Sequence, residues 1–246
     1  TRSRQRSTNT ALLCREFSRF AASPSYMLNC GLGTFLMPVC GIAVLWKGRE
    51  LFAVLDAIFA ETPDSVPFLL CVMLCSLASM NFMTAPSVSL EGKSLWLLQS
   101  LPVEPWRVLH AKIRMQLLLT GLPLLLCIGC TAAVYPLHPL QLLMLLLFVG
   151  SYTLLMALVG LFFGIKMPTL TWTGEIMPIK QGAPVMITLF CGFGYMVLLF
   201  VGFMLLPGWI LGLLGYMSCF VGANLLLSVP IYLWLRKQGV ARFSAL

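Results

Sequence analysis

EGKSLWLLQSLPVEPWRVLHAK, residues 91–112, is a charged, tryptophan-bearing segment set between two long hydrophobic runs. Hydrocarbon is a poor solvent for charge, so in a chain this apolar the segment is expected outside the lipid. Both of its ends lead straight into apolar sequence. It therefore reads as a cytoplasmic element tied at each end to a membrane helix, a form suited to receiving a push from a soluble partner.

The flanking runs belong to a set of six: residues 26–46, 66–90, 115–134, 140–165, 183–206 and 209–235, none of which contains Asp, Glu, Lys or Arg. An α-helix needs about 20 apolar residues to cross roughly 30 Å of hydrocarbon. Open backbone is not tolerated in lipid, so these runs are expected to be helices, with their prolines near ends or in packed kinks. The chain is 59% hydrophobic and 10% charged, with a mean hydropathy of +0.93, which excludes an ordinary soluble domain. The expected fold class is all-α: a polytopic transmembrane bundle of six spans.

Charge orients it. Residues 1–25, 91–114, 166–182 and 236–246 hold 14 of the 16 Lys and Arg residues, leaving Lys47 and Arg49 on the other side beside Glu50, Asp56, Glu61 and Asp64. The positive-inside rule makes that basic side, and with it both termini, cytoplasmic. Trp46, Trp96, Trp106, Trp172, Trp209 and Trp234 all fall at or just beyond run ends, at the depth an indole prefers. The net charge of +8 is thus mostly a topology signal, and Arg2, Arg4 and Arg6 read as a membrane-facing arm in preference to a nucleic-acid contact.

Three parts follow: a basic linker and amphipathic helix over 1–25, a six-span transmembrane domain over 26–235 with its elbow at 91–112, and a basic cytoplasmic tail over 236–246. No signal peptide opens the chain and its first residue is not Met, so it reads as a fragment or the second part of a longer polypeptide. In TALLCREFSRFAASP, Leu13, Phe17 and Phe20 recur at helical spacing while Arg15, Glu16, Ser18 and Arg19 point elsewhere. That pattern suits a helix lying on the inner membrane surface, with a frayed extension of the first span as the bland alternative. Leu51, Phe52, Leu55, Ile58 and Phe59 repeat the pattern in the outer loop.

Within 91–112, Leu95, Trp96, Leu98 and Leu101 give residues 94–101 one apolar face, and Pro102 ends it. Glu104 and Pro105 then suit the start of a new helix, which carries Trp106, Leu109 and Ile113 into the third run while Arg107, Lys112 and Arg114 stay at the headgroups. The result is an elbow, or in the plainer reading an ordinary interfacial loop.

Other motifs carry less. Gly92-Lys93-Ser94 lacks the earlier glycine of a phosphate loop, where Ser87 stands instead. Cys127 with Cys130, and Cys71 with Cys75, lie inside apolar runs and read as buried thiols, since a metal would want converging histidines. His110 and His138 are far apart in the chain. Gly160-x-x-x-Gly164 and Gly208-x-x-x-Gly212 suit close helix approach. No HExxH or GxSxG occurs, so no enzyme activity, catalytic residue or metal site is expected of the chain itself. The absence of ionisable residues from the runs disfavours an ion-coupled carrier.

EGKSLWLLQSLPV followed by a basic helix resembles the loop between the second and third spans of bacterial type-2 ABC exporter permeases, and more narrowly the ABC exporter membrane proteins of Gram-positive bacteria. LLCREFSRFAASPSYMLNCGLG resembles the family's opening helix and first span, LTWTGEIMPIKQGAPVMI its loop into the fifth span, and RKQGVARFSAL its short basic C-terminus. The resemblance covers the chain from about residue 11 to its end and matches the second six-span half of that family. It implies a connecting helix carrying Leu13, Arg15, Glu16, Phe17 and Arg19. It also implies a coupling helix built from Glu91, Gly92, Lys93, Ser94, Leu95, Trp96 and Leu98, and a cytoplasmic loop motif of Trp172, Glu175, Lys180 and Gln181.

The function this implies is that of a membrane-spanning subunit of an ATP-driven exporter in the bacterial cytoplasmic membrane. ATP and Mg would be bound by a separate ABC ATPase subunit and no cofactor by this chain. Glu91 and Lys93 would contact that partner, and Leu95, Trp96 and Leu98 would anchor the lever. A second six-span half or a homodimer partner would complete the pathway, with the lipid bilayer as the remaining partner. The substrate is not readable. Related exporters carry re-entrant helices between their last two spans, but only Leu206-Pro207-Gly208 intervenes here. A non-transporting membrane scaffold or assembly factor is the alternative from another class, with an ion-coupled carrier third.

Overall fold

The computed structural model describes residues 7–60, 65–205 and 208–246. Every element among them is helical apart from one isolated bridge between Gly31 and Asn81. Four helices are long and apolar enough to cross a membrane: Pro105–Val134, Pro139–Lys166, Ala183–Phe203 and Gly212–Ser244. They mark the chain as a multi-pass membrane protein.

Helix α1 spans Thr8–Ala22, with the Ser7 hydroxyl accepting from the Thr10 amide. Ser23 caps the short α2, Pro24–Cys30, with Pro24 in its first turn. Helix α3, Leu32–Ile58, runs on through the expected outer loop. It does so because Gly48 and Phe52 keep it packed on the end of the next long helix, against Val134 and Tyr135. Helix α4 covers only Ser65–Ser79. After a 3-10 turn at Ser89–Ser94 come α5, Leu95–Gln99, and α6, Pro105–Val134. His138 and Gln141 form a capping box at the start of α7, Pro139–Lys166. Helix α8 is Ala183–Leu205 and α9 is Gly208–Trp234. A wide turn at Leu235–Gly239 leads into α10, Val240–Ser244. Pro38, Pro123 and Pro230 lie inside α3, α6 and α9.

Residue pairs give the directions. Gly41 sits by Cys127 and Gly48 by Val134, so α3 and α6 run parallel. Ser151 meets Asn224, and Phe162 meets Trp234, so α7 and α9 run parallel. Tyr195 packs on Tyr152, and Gly192 faces Met156 and Ser79, so α8 runs against α7 and α4. The core between these helices holds Phe68, Leu74, Phe148, Tyr152, Leu199 and Tyr216. One end of the bundle gathers α1, residues 89–104 and α10; residues 135–138 lie at the other.

Several expectations change. The uncharged run 66–90 is not one helix: α4 stops at Ser79 and residues 80–88 fold as turns inside the bundle. Buried side chains take over the backbone bonds a helix would have made. Gln116 Nε2 donates to the Asn81 carbonyl (2.9 Å) and its Oε1 accepts from the Thr84 amide (2.8 Å). Tyr26 donates to the Met83 carbonyl (2.6 Å), and the Phe82 amide to that of Cys30 (3.1 Å). Broken backbone at this depth survives only when protein satisfies it in this way. Gly160 and Gly164 make room: a Cβ on them would lie 2.5 Å from Thr84 Oγ1 and 2.7 Å from the Ala85 carbonyl oxygen. Gly212, in contrast, turns the backbone at φ +64 with open space beside it, so it is no packing notch. The run 26–46 breaks at Gly31. Residues 236–246, read as a basic tail, are held to the bundle: Phe243 is buried beside Leu98 and Val108. Glu61, Asp64, Leu206, Pro207 and Arg2, Arg4 and Arg6 lie outside the described residues.

Candidate functional site

Five charged residues from three segments meet at the α1 end. Glu91, in the 3-10 turn, is 2% exposed, Glu16 of α1 is 3% and Lys112 of α6 is 0%. Lys112 Nζ lies 2.7 Å from Glu91 Oε1 and 3.0 Å from Glu16 Oε2, and donates its remaining bond to the Ser87 carbonyl at 3.2 Å. Arg15 Nη2 reaches Glu91 Oε2 at 2.9 Å, and Arg19 Nη1 reaches Oε1 at 2.6 Å. Arg19 Nη2 donates to the Leu90 carbonyl (2.8 Å). Burial alone would raise the Glu91 carboxyl. Lys112 and Arg19, with hydrogen bonds from Arg15 and Lys112, outweigh that and hold it well below the usual carboxylate range. Burial works against the Arg15 charge in turn, but Glu91 and Glu16 carry its pKa above the ordinary value.

The cluster corrects three expectations at once. Glu16 does not point away from the bundle: Leu12, Glu16 and Phe20 form the buried stripe of α1, while Leu13 and Phe17 are half-buried. Lys112 does not face outward with Arg107 and Arg114, because it shares the inward face of α6 with Val108, Leu109 and Met115. Glu91 cannot serve as a surface contact, since three cations occupy its oxygens. The cluster works as a fastener joining α1, the 3-10 turn and α6.

Gly92 is shaped by backbone needs. It has φ +50, and a Cβ there would lie 3.0 Å from the Trp172 ring. Trp172 Nε1 donates to the Ser89 carbonyl (2.7 Å), and the Thr169 amide donates to Ser89 Oγ (3.0 Å), which ties the loop 167–176 to the turn. Ser23 donates to Glu175 Oε2 (2.7 Å), holding the same loop to the α1–α2 junction. Lys180 and Gln181 are exposed in the turn Met177–Gln181 and do not join the cluster. Ser94 is exposed and donates to the Glu91 carbonyl (2.7 Å); the Lys93 side chain lies outside what is described. Arg19, Leu90, Glu91, Ser94, Trp172, Thr173 and Glu175 line an open cleft of about 580 Å³.

In α5, Leu95 and Leu98 are each 4% exposed and pack with Leu12, Val108 and Leu109. Trp96 is 66% exposed, with Leu97 and Leu101 beside it also open. The indole therefore does not anchor α5 to the bundle; the two leucines do. Gln99 Nε2 donates to the Phe243 carbonyl (2.8 Å), so α10 braces α5 from the other side. Cys71, Cys75 and Cys127 are buried free thiols, and among the described residues no three His, Cys, Asp or Glu side chains converge on a metal position.

Sequence reasoning missed Lys112, Gln116 and Thr84. The available signal was the spacing of Leu109, Lys112 and Gln116 on one face of α6, in register with buried Val108 and Met115. Comparison with known protein families, curated proteins and solved structures returns no match for this chain.

Proposed function

We propose that this chain is a membrane-spanning permease subunit of an ATP-driven ABC exporter in a bacterial cytoplasmic membrane. In this reading it crosses six times with both termini cytoplasmic, a separate ABC ATPase subunit binds ATP and Mg, and a second six-span half or second copy completes the pathway. The supporting observation is α5. Its leucine face is seated against α6, its Trp96 and Leu97 face is open, and the turn preceding it is fastened by Glu91 to Lys112 of a candidate spanning helix. A push on Trp96 and Leu97 would pass through Leu95 and Leu98, and through the ion cluster, into α6. Packed cores are close to rigid, so such a push moves helices as bodies. The partner contacts are accordingly Trp96, Leu97 and Leu101; Glu91 acts behind them.

The test is purification of the full chain with its ATPase, followed by measurement of complex affinity and ATP hydrolysis for Trp96→Ala combined with Leu97→Ser. Truncating a central aromatic contact typically costs about 2 kcal/mol or more, so affinity should fall about thirtyfold or more with folding intact. A complex that keeps full affinity and hydrolysis in this variant refutes the assigned role. An ATPase that binds while hydrolysis stays indifferent to the chain would identify a scaffold instead.

A further inference from the structure

Arg114 of α6 lies eight residues, about 12 Å of helix rise, beyond Trp106. It is exposed, and the stripe it heads continues through the exposed Leu118, Leu122 and Leu125. An exposed leucine stripe on a candidate spanning helix has the character of a lipid-facing surface. Among the described residues no carboxylate pairs with Arg114. An arginine there extends its guanidinium back toward the nearer headgroups and looks for an anion.

The surface it would reach along is built for one. Trp106 stacks on His110 with ring centroids 5.9 Å apart, and Tyr232 of α9 meets Trp106 edge-on at 5.3 Å. One turn past Tyr232 stands Arg236, also exposed, at the end of the exposed stripe Leu225, Val229 and Tyr232. A Trp and Tyr pair marks headgroup depth, and guanidinium forks match phosphate oxygens. Glu104 is set against Arg107, with Nε to Oε2 at 3.2 Å, so the surface carrying Arg107, Arg114 and Arg236 has a net positive charge that favours an anionic over a zwitterionic headgroup.

We propose that the α6–α9 junction binds the phosphate of an anionic phospholipid, with Arg114 below it, Arg236 above it and His110, Trp106 and Tyr232 between. The site does not depend on the transport reading. The test titrates the purified full chain in detergent with phosphatidylglycerol, phosphatidylcholine or inorganic phosphate, counting bound lipid by native mass spectrometry and following the unfolding temperature. Phosphatidylglycerol should be retained and should stabilise the chain, while phosphatidylcholine and inorganic phosphate should do neither. Arg114→Gln and Arg236→Gln should each weaken retention about fivefold, and together about thirtyfold, with Lys47→Gln at the other end of the bundle as an unaffected control. Equal binding of the two lipids, stabilisation by inorganic phosphate alone, or undiminished retention in the double variant overturns the site. If Arg114→Gln fails to fold, Arg236→Gln alone decides by the same criterion.

Discussion

Ion pairs at the two ends of the bundle use the same residue types in opposite settings. At the end away from α1, Lys47 and Glu50 approach to 3.2 Å along one helix turn, with side chains 63% and 74% exposed. At the α1 end, Lys112 and Glu91 approach to 2.7 Å with neither side chain exposed. The first pair closes between neighbours that the helix already holds together, in water that screens it. The second requires the 3-10 turn and α6 to be brought into register, with α1 joining them through Glu16, and a lone partner would be left charged in a dry site. Charge near a span end thus has two meanings, and burial decides between them.

The largest expected break in that contrast is Lys112→Met. It leaves Glu16 and Glu91 buried with only the two partly exposed arginines to balance them. Losing one partner of a buried pair typically costs about 3–5 kcal/mol, read as a fall in the midpoint of denaturant unfolding in detergent. Adding Glu16→Gln to Lys112→Met should recover part of that loss, because the second change removes an uncompensated charge. Simple additivity of the two variants would show that Glu16 and Lys112 are not coupled.

Acid should act on the same cluster. The Glu91 carboxyl titrates below its unfolded value of about 4.3. Its stabilisation is therefore complete above that pH and is lost as pH falls through the lower folded value. Unfolding midpoints should be flat from about pH 7 to about pH 5 and then drop as acid is added. In Glu91→Gln that acid-side drop should shrink, whereas an unchanged drop would place the sensitive group elsewhere.

Glycines sharpen the comparison at smaller scale. Gly160→Ala or Gly164→Ala would drive a methyl group into Thr84 or the Ala85 carbonyl, and overpacking of this kind typically costs about 1–3 kcal/mol. Gly129, farther along α6 from α1, has no atom within 4 Å of a new Cβ. There Gly129→Ala should be neutral or stabilise the helix by up to about 1 kcal/mol, by the same denaturant assay.

The apolar runs were legible because hydropathy is local: each residue of α6, α7 and α8 declares its preference for lipid by itself. The site was not, for reasons visible at particular residues. In α1 the 3.6-residue period allows a stripe through Leu13 and Phe17 or one through Leu12 and Glu16, and a carboxylate argues for the wrong choice until Lys112 is known to face it. Residues 80–88 contain no charge, so nothing marks them as broken; the break depends on Gln116, more than thirty residues later, supplying both a donor and an acceptor. Gly92-Lys93-Ser94 drew attention as a motif, yet the position of Gly92 is explained by its positive φ and the neighbouring indole.

The smallest effect is expected where charge is densest on the outside. Lys47→Ala removes the exposed partner of Glu50 and, five residues before Phe52, touches neither the Gly48–Val134 approach nor the Phe52–Tyr135 ring contact. An exposed helix pair at i,i+3 contributes about 0.2–0.5 kcal/mol, so the unfolding midpoint should hardly move, and less still in high salt. The same substitution type at Lys112 should shift it roughly ten times as far. If Lys47→Ala instead proved as damaging as Lys112→Met, exposure would not be what separates the two ends. The weight would then lie in α3 itself, which approaches α6 closely at Gly41 and Gly48.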